Sequence, residues 1–231
     1  MNKLFKSAAE AVSDLKDGSV LMAGGFGLCG NPENLIKAIA DKGIREISLI
    51  SNNCGTTELG LGVLLKNKQI KKITASYVGE NSEFERQLLN HEIEVELVPQ
   101  GTLAERIRAG GAGIPAFYTP TGVGTEVAKN KEIRVFDGRE YLLEKALKAD
   151  FAIIKAYKAD PFGNLVFRKT ARNFNSVMCA AAKITIVEVE EFVKLGELEP
   201  DQIHVPGVYV QRIIIGEHYD KWIEQRTVRN C

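Results

Sequence analysis

The chain reads as an α/β protein: an open, twisted, mainly parallel sheet with helices on both faces and a hairpin-rich second half. Three observations predict this. Over the first 110 residues a short apolar run, a polar or glycine-rich corner and an amphipathic helix recur in that order. Each repeat is a βαβ step, and such steps build a parallel sheet covered on both sides. Further along, Asp137-Gly138 sits between two short β-prone runs, the composition of a tight hairpin.

The elements follow in order. Ser7-x-x-Glu10 is a capping-box pattern ahead of Val12 and Leu15, which share a helix face. The first strand covers 19–23. Asn31-Pro32 supplies an N-cap and a first-turn proline for a helix that buries Leu35, Ile36 and Ile39 and ends at Gly43. The second strand, 47–50, enters the corner Ser51-Asn52-Asn53-Cys54-Gly55, and a leucine-rich helix then runs to about Leu65. A third strand near 73–77 precedes a helix around Phe84, Leu88 and Leu89. The fourth, 95–98, gives way to Pro99-Gln100-Gly101 and a helix holding Leu103 and Ile107. Residues 110–125 read as a glycine-rich excursion, a length that in compact domains tends to be functional. Runs at 133–136 and 140–143 flank the Asp-Gly turn, and apolar strands follow at 151–157 and 184–189. No low-complexity linker interrupts the chain, so one domain is expected over 1–231.

Composition narrows the function. The chain has 231 residues, 45% of them hydrophobic, with 30 basic and 30 acidic residues that cancel. That balance argues against recognition of nucleic acid or an anionic membrane by bulk charge. No apolar run is long enough to span a bilayer, and the N-terminus lacks the apolar centre of a secretory signal. Four cysteines (Cys29, Cys54, Cys179 and Cys231) show neither paired nor metal-ligand spacing, which suits a reducing, cytoplasmic setting and predicts no metal site.

Three corners fall at the C-terminal ends of predicted parallel strands, where α/β sheets bind ligands. The first is Gly24-Gly25-Phe26-Gly27-Leu28-Cys29-Gly30, whose glycines allow close approach of backbone and of a helix N-terminus to a ligand. The second carries Asn52 and Asn53, and the third carries Gln100. Turn preference accounts equally well for any one of them. Together they form a rim of carboxamides and N–H groups, suited to holding a carbonyl or an oxyanion and not to moving protons. Gly25-x-Gly27-x-x-Gly30 matches a dinucleotide fingerprint in letters alone. The second strand ends in Ser51-Asn52-Asn53, without the acid that would hold a ribose, so an NAD(P)-dependent oxidoreductase is disfavoured. His91, His204 and His218 read as surface or turn residues, and Cys29 and Cys54 as small apolar fillers. Glu80 follows the third strand and reads first as a helix cap. Arg168, Lys169 and Arg172 read as a solvated basic face, or as a contact for an anionic ligand or another chain.

The stretch Asp17-Gly18-Ser19-Val20-Leu21-Met22-Ala23-Gly24-Gly25-Phe26-Gly27-Leu28-Cys29-Gly30-Asn31-Pro32 closely resembles the first signature of the family I coenzyme A transferases. The likeness continues through Ser51 to Gly55, Ser76 to Asn81, Pro99 to Glu105, Ala109 to Ala116 and Phe167 to Phe174. It is similar to the A (alpha) subunits of the 3-oxoacid branch. The resemblance implies a double displacement, in which a glutamate takes the acyl group as an anhydride, then takes coenzyme A as a thioester, and then reverses both steps on a 3-oxoacid. That glutamate belongs to a Ser-Glu-Asn-Gly motif of the B (beta) subunit. No such motif occurs here, so no catalytic residue is assigned to this chain. What carries over is Gly24, Gly25, Phe26, Gly27, Leu28, Cys29 and Gly30 as the loop facing coenzyme A, and Asn52, Asn53 and Gln100 as substrate or oxyanion contacts. Also implied are a heterodimer or heterotetramer with a B subunit, and coenzyme A as substrate rather than a permanently bound cofactor.

Overall fold

The structure is a computed structural model and describes residues 3–220 and residue 223. Its centre is a parallel sheet in which the first strand, β1 (Val20–Ala23), lies in the middle. On one side stand β2 (Ile47–Ile50), β3 (Ile70–Ala75) and β4 (Glu94–Leu97) in chain order. The small antiparallel sheet comes next in sequence, built from β5 (Ala116–Thr119), β6 (Ile133–Phe136) and β7 (Arg139–Lys145) in the spatial order β5-β7-β6. The chain then returns to the other side of β1 with β8 (Ala149–Ala159), to which the short β9 (Leu165–Val166) pairs antiparallel. β10 (Ala182–Phe192) and β11 (Arg212–Ile215) extend the sheet outward.

The hairpin signal is correct for β6 and β7, where Asp137 and Gly138 both take the left-handed conformation that a two-residue turn requires. It fails for the last long strands. β8, β10 and β11 pair parallel; the middle stretches of β8 and β10 are buried on both faces of the main sheet, as parallel strands between helix layers are, and β11 closes the sheet as its edge.

Helices cover both faces. Alternate residues of β1 divide between them: Leu21 and Ala23 join one core, and Met22 joins the other. The first core takes Ala11 of α1 (Ala8–Ala11), Leu35 and Ile39 of α2 (Glu33–Lys42), Leu64 of α3 (Gly62–Lys66) and Phe84 of α4 (Ser82–Leu89). The second takes Leu103 and Ile107 of α5 (Gln100–Ala112), with Phe174 and Met178 of α6 (Asn173–Met178).

Part of the expected excursion at 110–125 is regular structure, the end of α5 at 110–112 and β5 at 116–119, and the rest is turn and loop. α5 continues through Gly110 and Gly111 and stops only at left-handed Gly113. A side chain at Gly110 would meet the Leu147 carbonyl at 1.9 Å, so this glycine serves close packing of α5 and not loop freedom. Among the described residues, no helix is long and apolar enough to cross a membrane.

Candidate functional site

The chain direction reverses at β1: later strands are laid to one side until β4, and then to the other from β8. The crevice beyond such a reversal is where an open α/β sheet binds ligands. All three sequence-predicted corners border it, and hydrogen bonds link them. Gln100 Nε2 donates to Asn52 Oδ1 at 2.7 Å. Asn52 Nδ2 donates to Asn53 Oδ1 at 3.2 Å, and that oxygen also accepts from the Gly27 N–H at 3.0 Å. Asn52 and Asn53 are buried, whereas Gln100 is exposed at the start of α5.

The glycine loop departs from expectation in two ways. Most of its N–H groups are already engaged. Gly24 donates to the Ile153 carbonyl, Phe26 and Cys29 exchange backbone bonds, and Gly25 donates to Asn173 Oδ1. Gly24, Gly25, Leu28 and Gly30 are buried, which leaves Phe26, Gly27 and Cys29 as the accessible part, with Phe26 about half exposed. The following helix is not an open anion site either. Asn31 does not cap it; its side chain turns inward and donates to the Gly27 carbonyl at 3.3 Å. The cap comes from β10 instead: the buried Glu188 carboxylate accepts from the Leu35 N–H at 2.9 Å and from Asn34 Nδ2 at 2.8 Å.

Free donors gather at α5. Its N-cap is Pro99, which offers no side-chain acceptor, and its first turn holds no acid. The N–H groups of Gln100, Gly101 and Thr102 have no partner among the described residues. They adjoin Asn52, whose amide nitrogen has one further N–H unused among those residues. Oriented donors beside a buried carboxamide can hold a carboxylate or an oxyanion.

Sequence reasoning missed Asn173 and Asn175, which fasten the glycine loop from behind. Asn175 is fully buried; its Nδ2 donates to the Gly30 and Ala171 carbonyls, both at 2.9 Å, and its Oδ1 accepts from the Lys155 N–H at 2.8 Å. A side chain at Gly24 would meet Asn175 Oδ1 at 1.9 Å, which explains that glycine sterically. Asn173 lies within the family-like run Phe167 to Phe174, but neither it nor Asn175 stands at a strand end where the crevice corners are found.

The remaining candidates are settled by their contacts. Glu80 is exposed and left-handed, and the cap of α4 is Asn81, whose Oδ1 accepts from the Phe84 N–H at 3.0 Å. His204 is structural: its Nδ1 accepts from the Phe167 N–H at 2.9 Å, and burial, with the nearby Arg172 charge, holds its pKa below the ordinary histidine value. Cys54 is buried, which pushes its thiol far up from the usual range. Arg168 stacks on the Tyr157 ring at 4.7 Å and lies 3.6 Å from Glu190. With Lys169, Lys155, Phe167 and Cys29 it lines a cleft of about 390 Å³ beside the glycine loop. His91 is exposed, and His218 Nε2 lies 3.0 Å from Asp220 Oδ1 in a polar segment.

The coenzyme A transferase family pattern matches residues 5–216, nearly the whole chain. This chain belongs to the coenzyme A transferase family. It is 61% identical to the A subunit of the succinyl-CoA:3-ketoacid coenzyme A transferase of Helicobacter pylori (strain J99 / ATCC 700824), with each chain covered in full. It is 50% identical to the mitochondrial succinyl-CoA:3-ketoacid coenzyme A transferase 2 of Homo sapiens, a match that covers 98% of this chain but 47% of the human one. Among solved structures, an acyl-CoA transferase from E. coli O157:H7, crystallised as a thioester complex with CoA, superposes with a TM-score of 0.83 at 25% identity. That match covers 95% of this coenzyme A transferase chain and 48% of the other. The crevice at the β1 reversal is thus the candidate active site of a transferase chain, with Asn52, Asn53 and Gln100 linked along its rim.

Proposed function

We propose that this chain is the A subunit of a heteromeric transferase that moves coenzyme A from succinyl-CoA to a 3-oxoacid, acetoacetate first among them. The observation that carries the reading is the composition of the crevice: Asn52, Asn53, Gln100 and the open first turn of α5 orient and stabilise, but none of them attacks a thioester. The glutamate is therefore assigned to a B subunit that closes the crevice. The match to about half of the single-chain relatives supports that division.

In the proposed reaction the partner's glutamate carboxylate attacks the succinyl-CoA carbonyl, forming an anhydride and releasing the CoA thiolate. The thiolate attacks the glutamyl carbonyl, giving a glutamyl-CoA thioester and free succinate. The 3-oxoacid carboxylate then displaces the thiolate into a second anhydride, and the thiolate finally attacks the acyl carbonyl and regenerates glutamate. Every step passes through an oxyanion, which Asn52 and the α5 donors stabilise in this reading. The loop residues Phe26, Gly27 and Cys29 face the coenzyme A side of the crevice. A cytoplasmic, single-domain A subunit in a heterodimer or heterotetramer completes the proposal.

The test is reconstitution with the B subunit, followed by measurement of CoA exchange with acetoacetate, 3-oxoadipate and short-chain acids. The pair is expected to be active and the isolated chain inactive. Turnover by this chain alone, or a glutamyl-CoA adduct on it, overturns the reading. A clear preference for 3-oxoadipate or a simple short-chain acid would reassign the acceptor.

A further inference from the structure

We infer that Asn173 and Asn175 are positioning residues that hold the glycine loop in its ligand-ready shape, and that their effect is read in the affinity for acyl-CoA. The inference rests on the proposed reading for its kinetic consequence, but not for its structural one.

The geometry is a double clamp. Asn173 Oδ1 accepts from the Gly25 N–H at 3.2 Å, near the entry of the loop, while Asn173 Nδ2 donates to the Cys29 carbonyl at 3.1 Å, near its exit. One side chain thus spans the mouth of the turn. Asn175 repeats the arrangement one layer deeper, binding the Gly30 carbonyl and the Lys155 N–H of β8. The two are joined to each other, Asn175 Nδ2 donating to Asn173 Oδ1 at 3.2 Å, and both also hold the turn at 168–172, through the Thr170 and Ala171 carbonyls.

The glycines match the clamp. A side chain at Gly24 or Gly30 would collide with Asn175 or with Ala171 and Asn173. Gly25, Gly27 and Gly30 sit at positive φ, and because glycine reaches many other conformations as readily, something must select this one. A loop that samples several shapes binds with its affinity reduced by the fraction in the competent shape. Loss of the clamp should therefore raise KM for acyl-CoA, whereas simple misfolding removes active molecules and lowers only the apparent kcat.

Two measurements test this. In the Asn173→Ala variant assembled with its B subunit, KM for succinyl-CoA is expected to rise about tenfold, with kcat within about threefold of wild type. In the same variant, alkylation of Cys29 followed by peptide mass spectrometry is expected to quicken several-fold, with Cys54 and Cys179, both buried, as internal controls. A folded variant with unchanged KM and unchanged Cys29 reactivity overturns the inference, as does a fall in kcat alone. If Asn173→Ala does not fold, amide exchange of the wild-type chain decides. Slow exchange at Gly25, comparable to that of α6, supports the clamp, and exchange at the rate of an open chain refutes it. Should the wild-type pair prove inactive as a CoA transferase, the functional reading falls while the Cys29 and exchange results still judge the clamp.

Discussion

Glu188 and Leu35 are 153 residues apart in sequence, yet the buried carboxylate of one accepts from the backbone N–H of the other at 2.9 Å, closing the N-terminus of α2 from the neighbouring strand β10. This cap has a pH signature. Burial raises Glu188 from the ordinary carboxylate value of 4.5 to about 7, against the pull of the Asn34, Leu35 and Tyr219 hydrogen bonds and the Lys155 charge. Between those values the folded chain keeps a proton that the unfolded chain has released. The stability this group contributes is therefore fully present below about pH 4.5 and declines as pH rises through about 7, by up to roughly 3 kcal/mol. A Glu188→Gln chain stays neutral and should lack that decline. In urea unfolding, its stability relative to wild type is expected to improve from pH 5 to pH 8. Parallel pH profiles for the two proteins would show that the carboxylate ionises as readily folded as unfolded.

Asn52→Ala removes the amide that Gln100 braces at 2.7 Å. With the B subunit present, turnover is expected to fall about 10- to 1000-fold, the scale for losing an oxyanion donor. The thermal midpoint should hardly move. A variant with wild-type kcat would take Asn52 out of the site.

At Gly24 the added methyl of Gly24→Ala has nowhere to go, since Asn175 Oδ1 lies 1.9 Å from the position it would occupy. Either the clamp or β1 must shift, at a cost of about 1–3 kcal/mol. Denaturant titration beside Gly27→Ala, which meets no neighbour but carries the left-handed strain, separates collision from strain. Equal losses at the two positions would argue that contact with Asn175 is unimportant.

Arg106 joins α5 to the small sheet. Its Nη1 lies 2.6 Å from Glu96 Oε1, its Nε donates to the Lys145 carbonyl at 2.8 Å, and the buried Glu144 is 3.9 Å away. Arg106→Ala removes a charged donor from the Lys145 carbonyl and from two carboxylates that keep other partners, Lys131 on Glu144 and Thr74 on Glu96, and should destabilise the chain by about 1.5–3 kcal/mol. Arg106→Met, which refills the space, should lose no less if the charge matters and clearly less if packing of the stem dominates. Calorimetry on the two variants decides between them.

Much of this architecture was legible beforehand because it depends on local pattern. The apolar runs at 20–23 and 47–50, the helix face of Leu35, Ile36 and Ile39, and the Asp137-Gly138 turn each carry their own periodicity or turn chemistry. The crevice corners were legible for a related reason: a parallel sheet puts its binding rim after its strands, so Gly24, Asn52 and Gln100 follow from the order of strands alone.

The direction of the last strands was not legible. Apolar runs such as 151–157 fit either orientation, and only the burial of β8 between β1 and β10 makes the parallel one right. Asn31 illustrates the same limit at a single residue. Beside Pro32 it has the composition of a helix cap, but the glycine loop turns it inward and Glu188 serves the helix instead.

The sequence by itself determined the βαβ alternation, the family signature from Asp17 to Pro32 and the identity of the carboxamides, since all three are written in residue types at short spacing. Tertiary structure alone decided which N–H groups remain available: those of the glycine loop are largely consumed by Asn173, Asn53 and Ile153, and those opening α5 are left over. The physical reason is that every buried backbone donor must find an acceptor. Most of those acceptors come from residues far away in sequence, on strands and turns that only folding brings within reach.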